Sequence, residues 1–66
     1  MENRALRIAA VQAKTGLTRT RVYELVESGD FPQPIKIGKR AVAWIEREVE
    51  AWLQTRVAER DKGRAA

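Results

Sequence analysis

The sequence contains no cysteine and no histidine. Without cysteine the chain forms no disulfide and has no thiolate to act as a nucleophile or a metal ligand. Without histidine it lacks the side chain that most often serves as a general base and as a zinc ligand. Serine and tyrosine occur once each, as Ser28 and Tyr23, and no Gly-rich phosphate-binding motif is present. We therefore expect no enzymatic activity, no metal site and no cofactor.

The chain also lacks length and long apolar runs. Its 66 residues support one small core, so we expect a single domain over residues 1–60 and a disordered polar tail over residues 61–66. No segment approaches the roughly 20 apolar residues of a membrane span. The first residues carry no apolar stretch of the kind found in a signal peptide. We expect a cytoplasmic protein with no membrane partner.

Positive charge is in excess. Thirteen Lys and Arg outnumber nine Asp and Glu, giving a net charge of +4, and the pI is about 10.1. A small basic domain favours a polyanionic partner, most often nucleic acid. The alternative is that the cations serve only solubility.

The first half of the chain predicts two helices joined by a short turn. After an extended lead-in at Leu6-Arg7-Ile8, residues 9–14 are good helix formers, and Thr15-Gly16 ends that helix. Thr18 is a favoured N-cap for a second helix over residues 19–28, which a glycine follows. The short turn forces the two helices to cross sharply, which is typical of a helix-turn-helix.

The second half predicts a β-hairpin. Two short runs with a period of two, residues 35–37 and 41–44, flank a turn that contains Gly38. Pro32 and Pro34 exclude a helix before the hairpin. The side chains that we expect on one buried face of the hairpin are Ile35, Ile37, Val42 and Trp44.

A third helix is predicted from Glu46 to about Glu59. Its apolar stripe comprises Ile45, Val49, Trp52, Leu53 and Val57. Trp44 and Trp52 are expected to pack in the core and to anchor the hairpin to this helix. The predicted fold is therefore mainly α with a small β-hairpin, a winged helix-turn-helix with three helices plus a wing.

Cations gather at the start of the second helix and at the tip of the hairpin. The N-terminal end of a recognition helix enters the major groove, where arginine binds guanine or phosphate, threonine a base edge and tyrosine a phosphate oxygen. A basic hairpin tip suits the DNA backbone or a narrow minor groove. The candidate DNA-binding residues are Thr18, Arg19, Thr20, Arg21, Tyr23, Lys36, Lys39 and Arg40. Weaker candidates are Arg4, Arg7 and Lys14.

Each of these candidates also has an ordinary interpretation. Exposed arginines are common on any solvated surface, and lysines on exposed strands prevent aggregation. Glu24 and Glu27, on the same helix, count against phosphate binding because carboxylates repel phosphate. Either glutamate could instead accept from the amino group of cytosine or orient an arginine one turn away.

Several motifs follow one another at the spacing of a known family. They are Thr15-Gly16-Leu17-Thr18-Arg19, Val22-Tyr23, Gly29-Asp30-Phe31-Pro32 with Pro34, Gly38, Arg40-Ala41-Val42 with Trp44, and Glu48-Val49 with Trp52-Leu53. Over about residues 5–57 the chain resembles the AlpA-like prophage regulators, short MerR-like winged helix-turn-helix proteins related to excisionases. The resemblance implies sequence-specific binding of double-stranded DNA, with the second helix in the major groove and the wing at the backbone or minor groove.

The same resemblance implies a role in prophage or mobile-element regulation. Relatives either control transcription or direct a recombinase toward excision, and an integrase or recombinase is therefore a second candidate partner. Glu24 stands where the family often has a basic residue, so Arg19, Arg21 and Tyr23 remain as the carriers on this helix. The short chain also predicts cooperative binding of several copies through weak self-association. The alternative is a protein-interaction module or inhibitor that binds an integrase or regulator without reading DNA.

Overall fold

The computed structural model describes residues 4–64. Its elements are, in order, β1 (Ala5–Leu6), α1 (Ile8–Thr15), α2 (Arg19–Ser28), β2 (Ile35–Lys36), β3 (Val42–Ile45) and α3 (Glu46–Arg64). Three helices and a small antiparallel sheet confirm the predicted fold, a winged helix-turn-helix in which α2 is the second helix and β2 and β3 form the wing. None of the helices within the described residues is long and apolar enough to span a bilayer.

Two glycines and a threonine determine where the helices of the helix-turn-helix begin and end. Gly16, with a φ of 77°, ends α1 and donates its N–H to the Gln12 carbonyl oxygen. The Thr18 Oγ1 accepts from the backbone N–H of Arg21 at 3.1 Å and caps the first turn of α2. Gly29, with a φ of 82°, ends α2. Because glycine adopts the left-handed conformation at little cost, these helix ends follow from local sequence alone.

The sheet has three strands, in the order β1-β3-β2. β1, which we expected only as an extended lead-in, pairs antiparallel with β3, Ala5 opposite Ile45 and Leu6 opposite Trp44. β3 is therefore the central strand, and α3 follows it without a loop. The beginning of the chain is thus tied to the wing.

The register of the hairpin contradicts the predicted buried face. Ile35 pairs with Ala43, and side chains alternate along a strand, so Ile35 and Ile37 lie on the face opposite Trp44 and Val42. Ile35 and Ile37 are 43% and 48% exposed. The prediction that all four share one buried face was wrong, because it required a turn one residue longer or shorter than the one that forms. A shift of one residue moves every side chain of a strand to the other face.

The core takes a side chain from every element except the short strand β2. Trp44 is fully buried and is the largest of these side chains. Its Nε1 donates to the Pro32 carbonyl oxygen at 2.9 Å, and Nε1 of the half-buried Trp52 donates to the Asp30 carbonyl oxygen at 2.6 Å. Both tryptophans pack against the core as predicted, and both also hold the loop between α2 and β2. The core cluster is Leu6, Val11, Val22, Phe31, Trp44 and Val49.

α3 continues to Arg64, beyond its expected end near Glu59. The structure has residues 61–64 in this helix, where we expected the polar tail to begin, and the other tail residues, 65 and 66, lie outside the described residues. A single glycine near a helix end costs only about 1 kcal/mol and does not stop it. Val57, which we assigned to the buried stripe, is 40% exposed. The helix is longer than the core against which it packs, and residues 54–63 are exposed.

Candidate nucleic-acid interface

α2 has a buried side and an exposed side. Val22 is fully buried, while Leu25 and Val26 pack against the core from partly buried positions. All four residues from Thr18 to Arg21 are exposed at the N-terminal end of the helix. That end carries the positive pole of the helix dipole and backbone N–H groups without intrahelical partners, which together favour a phosphate. The turn that we predicted to enter the major groove is therefore accessible.

An aromatic contact connects α2 to the wing. The rings of Tyr23 and Trp44 meet edge to face, with their centroids 5.9 Å apart. On the exposed side, the Arg19 guanidinium lies 5.8 Å from the centroid of the Tyr23 ring. Since Trp44 belongs to the central strand of the sheet, Arg19 is connected through two rings to the wing. Sequence reasoning did not find this contact, because it joins residues 21 positions apart with no local signal.

Arg21 and Glu24 form an ion pair on the exposed side of α2. The Arg21 Nη1 donates to the Glu24 Oε1 at 3.1 Å, and the two side chains are 57% and 58% exposed. This is one of the two roles that the sequence left open for Glu24. Glu27, one turn further along, has no ion-pair partner among residues 4–64. α2 therefore carries one arginine paired with a carboxylate and one arginine held against a ring.

The wing presents Lys36 on the face opposite its two exposed isoleucines, and its other two cations at the tip. Lys36 pairs with Val42, so it lies on the Trp44 face of the sheet, and Trp44 in turn contacts α2. Lys39 and Arg40 are exposed at the tip. For none of these three cations does the described part of the chain supply a carboxylate. The exposed Ile35 and Ile37 lie on the opposite face.

Lys14, a weaker candidate for DNA contact, forms ion pairs with two glutamates of α3. Its Nζ lies 3.0 Å from the Glu50 Oε2 and 3.3 Å from the Glu46 Oε2, which joins α1 to the first two turns of α3. The hydrogen bonds that Lys14 donates, first to the Glu50 carboxylate and then to that of Glu46, raise the pKa of Lys14 above its usual 10.5. Within residues 4–64, no group of three side chains could hold a metal ion.

The arrangement of these elements defines a class of protein. A capped helix-turn-helix followed by a β wing, with cations on the second helix and the wing, is the design of a winged helix-turn-helix regulator. A family model described as prophage CP4-57 regulatory protein (AlpA) matches residues 4–57. The chain belongs to this family of prophage regulatory proteins, which confirms the resemblance drawn from its motifs.

Two relatives, one from a phage and one from a bacterium, are similar to the chain over most of its length. A protein of Enterobacteria phage P4, described as uncharacterized protein ORF88, is 40% identical over 62 residues, which cover 94% of this chain and 70% of the relative. The DNA-binding transcriptional activator AlpA of Escherichia coli (strain K12) is 36% identical, with 80% of this chain and 84% of the relative aligned. Of these two relatives, the one from E. coli is therefore named as a transcriptional activator.

Proposed function

We propose that the chain binds double-stranded DNA at specific sequences and regulates transcription of a prophage or other mobile element. The E. coli relative, whose name describes a DNA-binding transcriptional activator, supports this proposal. α2 is the recognition helix in the major groove, and the wing lies along the backbone or the minor groove. Such a regulator works in the cytoplasm, at the nucleoid.

The observation that carries the proposal is the contact between Tyr23 and Trp44, at 5.9 Å between ring centroids. A regulator that uses two separate cationic elements needs them in a constant relative position, because the groove and the neighbouring phosphates have a constant spacing. Trp44 is fully buried, so it holds Tyr23 and the central strand of the wing in one rigid unit. α2 and the wing would then meet DNA together rather than independently.

The roles of the candidate residues follow from their positions. Thr18 caps the helix and Thr20 faces outward, where it reaches a base edge or a thymine methyl group. Arg21 reads guanine or binds phosphate, whereas Arg19, held over the Tyr23 ring, binds phosphate. The hydroxyl of Tyr23 donates to a phosphate oxygen. The cations of the wing that bind the backbone or minor groove are Lys36, Lys39 and Arg40.

In vitro selection from random duplexes, followed by titration of single-base variants, tests sequence readout. We expect Arg21→Ala to cost about 1–3 kcal/mol and to relax preference at one base pair. Arg47→Ala is the matched control, because Arg47 is an exposed arginine of α3 that lines a groove with Lys14 and Glu50. Failure to enrich any sequence would contradict the proposal. A uniform loss across sequences would make Arg21 a phosphate contact.

Substitutions in the wing distinguish DNA binding from the alternative function, a protein-interaction module. Neutralising Lys39 and Arg40 together should weaken binding to all duplexes and reduce the slope of log affinity against log salt by about 0.9 per lost phosphate contact. If Lys39→Ala with Arg40→Ala left regulation intact while DNA affinity was unmeasurable, the interaction module would be the correct function.

Two further features belong to the same proposal. The chain acts in several copies, because a module of this size offers only about 600–1,000 Å² of DNA interface, and weak contacts between neighbouring copies add affinity. Equal affinity per site on single-site and multi-site DNA would contradict this cooperation.

An excision assay with the cognate integrase, run beside a promoter reporter, separates transcriptional control from a role as an excisionase.

A further inference from the structure

We propose that Glu24 determines the specificity of this chain by holding the Arg21 guanidinium in the orientation that reads a base. The proposal rests on DNA binding by α2. Glu24 is negatively charged, as DNA is, and the proposal nevertheless gives it a role that favours recognition.

The first argument is the geometry of the pair. The two residues are three positions apart on the exposed side of a helix, where side chains are neighbours. The Arg21 Nη1 donates to the Glu24 Oε1 at 3.1 Å. A guanidinium has five N–H donors in a planar fork. With Nη1 engaged, the edge formed by Nε and Nη2 remains free, and one such edge is what a guanine needs for contacts to its O6 and N7.

The second argument is the position of Arg21 along α2. Its backbone N–H is bound to the Thr18 Oγ1, so the residue lies in the first turn of the helix, the end that a recognition helix inserts. The pair is therefore at the tip of the inserted element. Both side chains are more than half exposed, so on an exposed surface the pair adds little stability, about 0–1 kcal/mol. An arginine and a glutamate at this place contribute more to recognition than to folding.

The third argument concerns the phosphate backbone. A carboxylate next to Arg21 opposes the approach of a phosphate and partly neutralises the cation, so non-specific binding is weakened. At the edge of a guanine there is no phosphate for Glu24 to repel, and the oriented Arg21 guanidinium makes two hydrogen bonds to the base. Glu24 thus lowers affinity for DNA in general while retaining affinity for the correct base. Discrimination is a difference between two affinities, and repulsion from the wrong partner raises it.

Glu27 provides a matched control. It is on the same helix, one turn later, carries the same charge and is exposed, but it forms no ion pair with any described residue. Glu27→Gln removes one negative charge from α2 without releasing Arg21. Glu24→Gln removes the same charge and releases it. Any difference between the two variants comes from the pair and not from net charge.

The experiment measures affinity for the selected duplex and for a scrambled duplex across a range of salt concentrations. For Glu24→Gln we expect tighter binding to the scrambled duplex, with a salt slope steeper by about 0.9, the value for one added phosphate contact. The ratio of specific to scrambled affinity should fall about 5- to 150-fold, the loss of one oriented base contact. The Glu27→Gln variant should keep its ratio.

Three results of this titration would overturn the proposal. Equal ratios for the two variants would mean that only net charge acts. If Glu24→Gln raised the affinity for both duplexes by the same factor, Glu24 would repel phosphate but would not orient the Arg21 guanidinium. A further fall in the ratio when Glu24→Gln is added to Arg21→Ala would mean that Glu24 reads a base by itself. We expect the double variant to have the same ratio of specific to scrambled affinity as Arg21→Ala alone.

A measurement without DNA keeps this inference separate from the function. The NMR signal of the Arg21 Nε–H group in the free protein should shift in Glu24→Gln and stay in place in Glu27→Gln. If the wild type fails to distinguish the two duplexes, DNA readout by this chain fails and the proposal fails with it. If the wild type distinguishes them but the Arg21 signal is unchanged in Glu24→Gln, only the role of Glu24 is refuted.

Discussion

Replacing Thr18 with alanine removes the side-chain cap from α2. The Thr18 Oγ1 accepts from the Arg21 N–H at 3.1 Å in an exposed turn, so water replaces part of the lost bond. Such a substitution costs about 1 kcal/mol, within a range of about 0.5–2. With a urea m-value of about 1 kcal/mol/M for so small a domain, the unfolding midpoint should fall by about 1 M. The melting temperature should fall by about 4–8 °C.

Two variants control this prediction. Thr18→Ser keeps a hydroxyl at the cap and should unfold close to the wild-type midpoint. Thr55→Ala removes a threonine of α3 whose Oγ1 donates to the Ala51 carbonyl oxygen at 3.0 Å, a bond that caps no free N–H. Because alanine is the better helix former, Thr55→Ala should leave stability unchanged or slightly higher. Circular dichroism in urea measures all three. The reasoning fails if Thr18→Ala and Thr55→Ala lower the midpoint equally.

Two further predictions concern the ion pairs of α1 and the face of the wing. The carboxylates of Glu46 and Glu50 raise the pKa of Lys14 above 10.5 in the folded state, so these pairs stabilise the fold below pH 10.5 and cease to do so as the pH rises through the raised pKa. The stability advantage of wild type over Lys14→Met, measured by urea unfolding, should therefore shrink at alkaline pH, and a constant difference would refute the pairing. Ile37→Thr should change the free energy of unfolding by less than about 0.5 kcal/mol because Ile37 is 48% exposed. A loss of about 1.5 kcal/mol or more would mean that it is buried.

In the proposed function, where α2 binds DNA, the charge pattern of this helix favours selectivity over raw affinity. A helix with only cations would bind any phosphate backbone, because non-specific binding is electrostatic. α2 instead has one arginine paired with a carboxylate and another, Arg19, 5.8 Å from the centroid of a tyrosine ring. In this way an aromatic ring and a carboxylate position two cations on one helix of ten residues.

Local sequence was sufficient for most of the fold. Gly16 and Gly29 mark helix ends, and Thr18 marks a helix start, because each acts through hydrogen bonds within four residues of itself. The order of elements, the winged helix-turn-helix and the burial of Val22 and Trp44 follow from such signals and from apolar spacing. The exposed start of α2 is accessible as predicted, and its contacts with DNA remain predictions.

Only the tertiary structure decided the strand register, the third strand and the ion pairs that join elements. Ile35 is exposed because pairing with Ala43 depends on the length of one turn, and apolar alternation fits either register. Ala5 and Leu6 form a strand only because β3 lies beside them. The contact of Tyr23 with Trp44 likewise requires α2 and the sheet to have packed first. Short-range hydrogen bonds and spacing specify elements, whereas contacts between elements depend on how the whole chain packs.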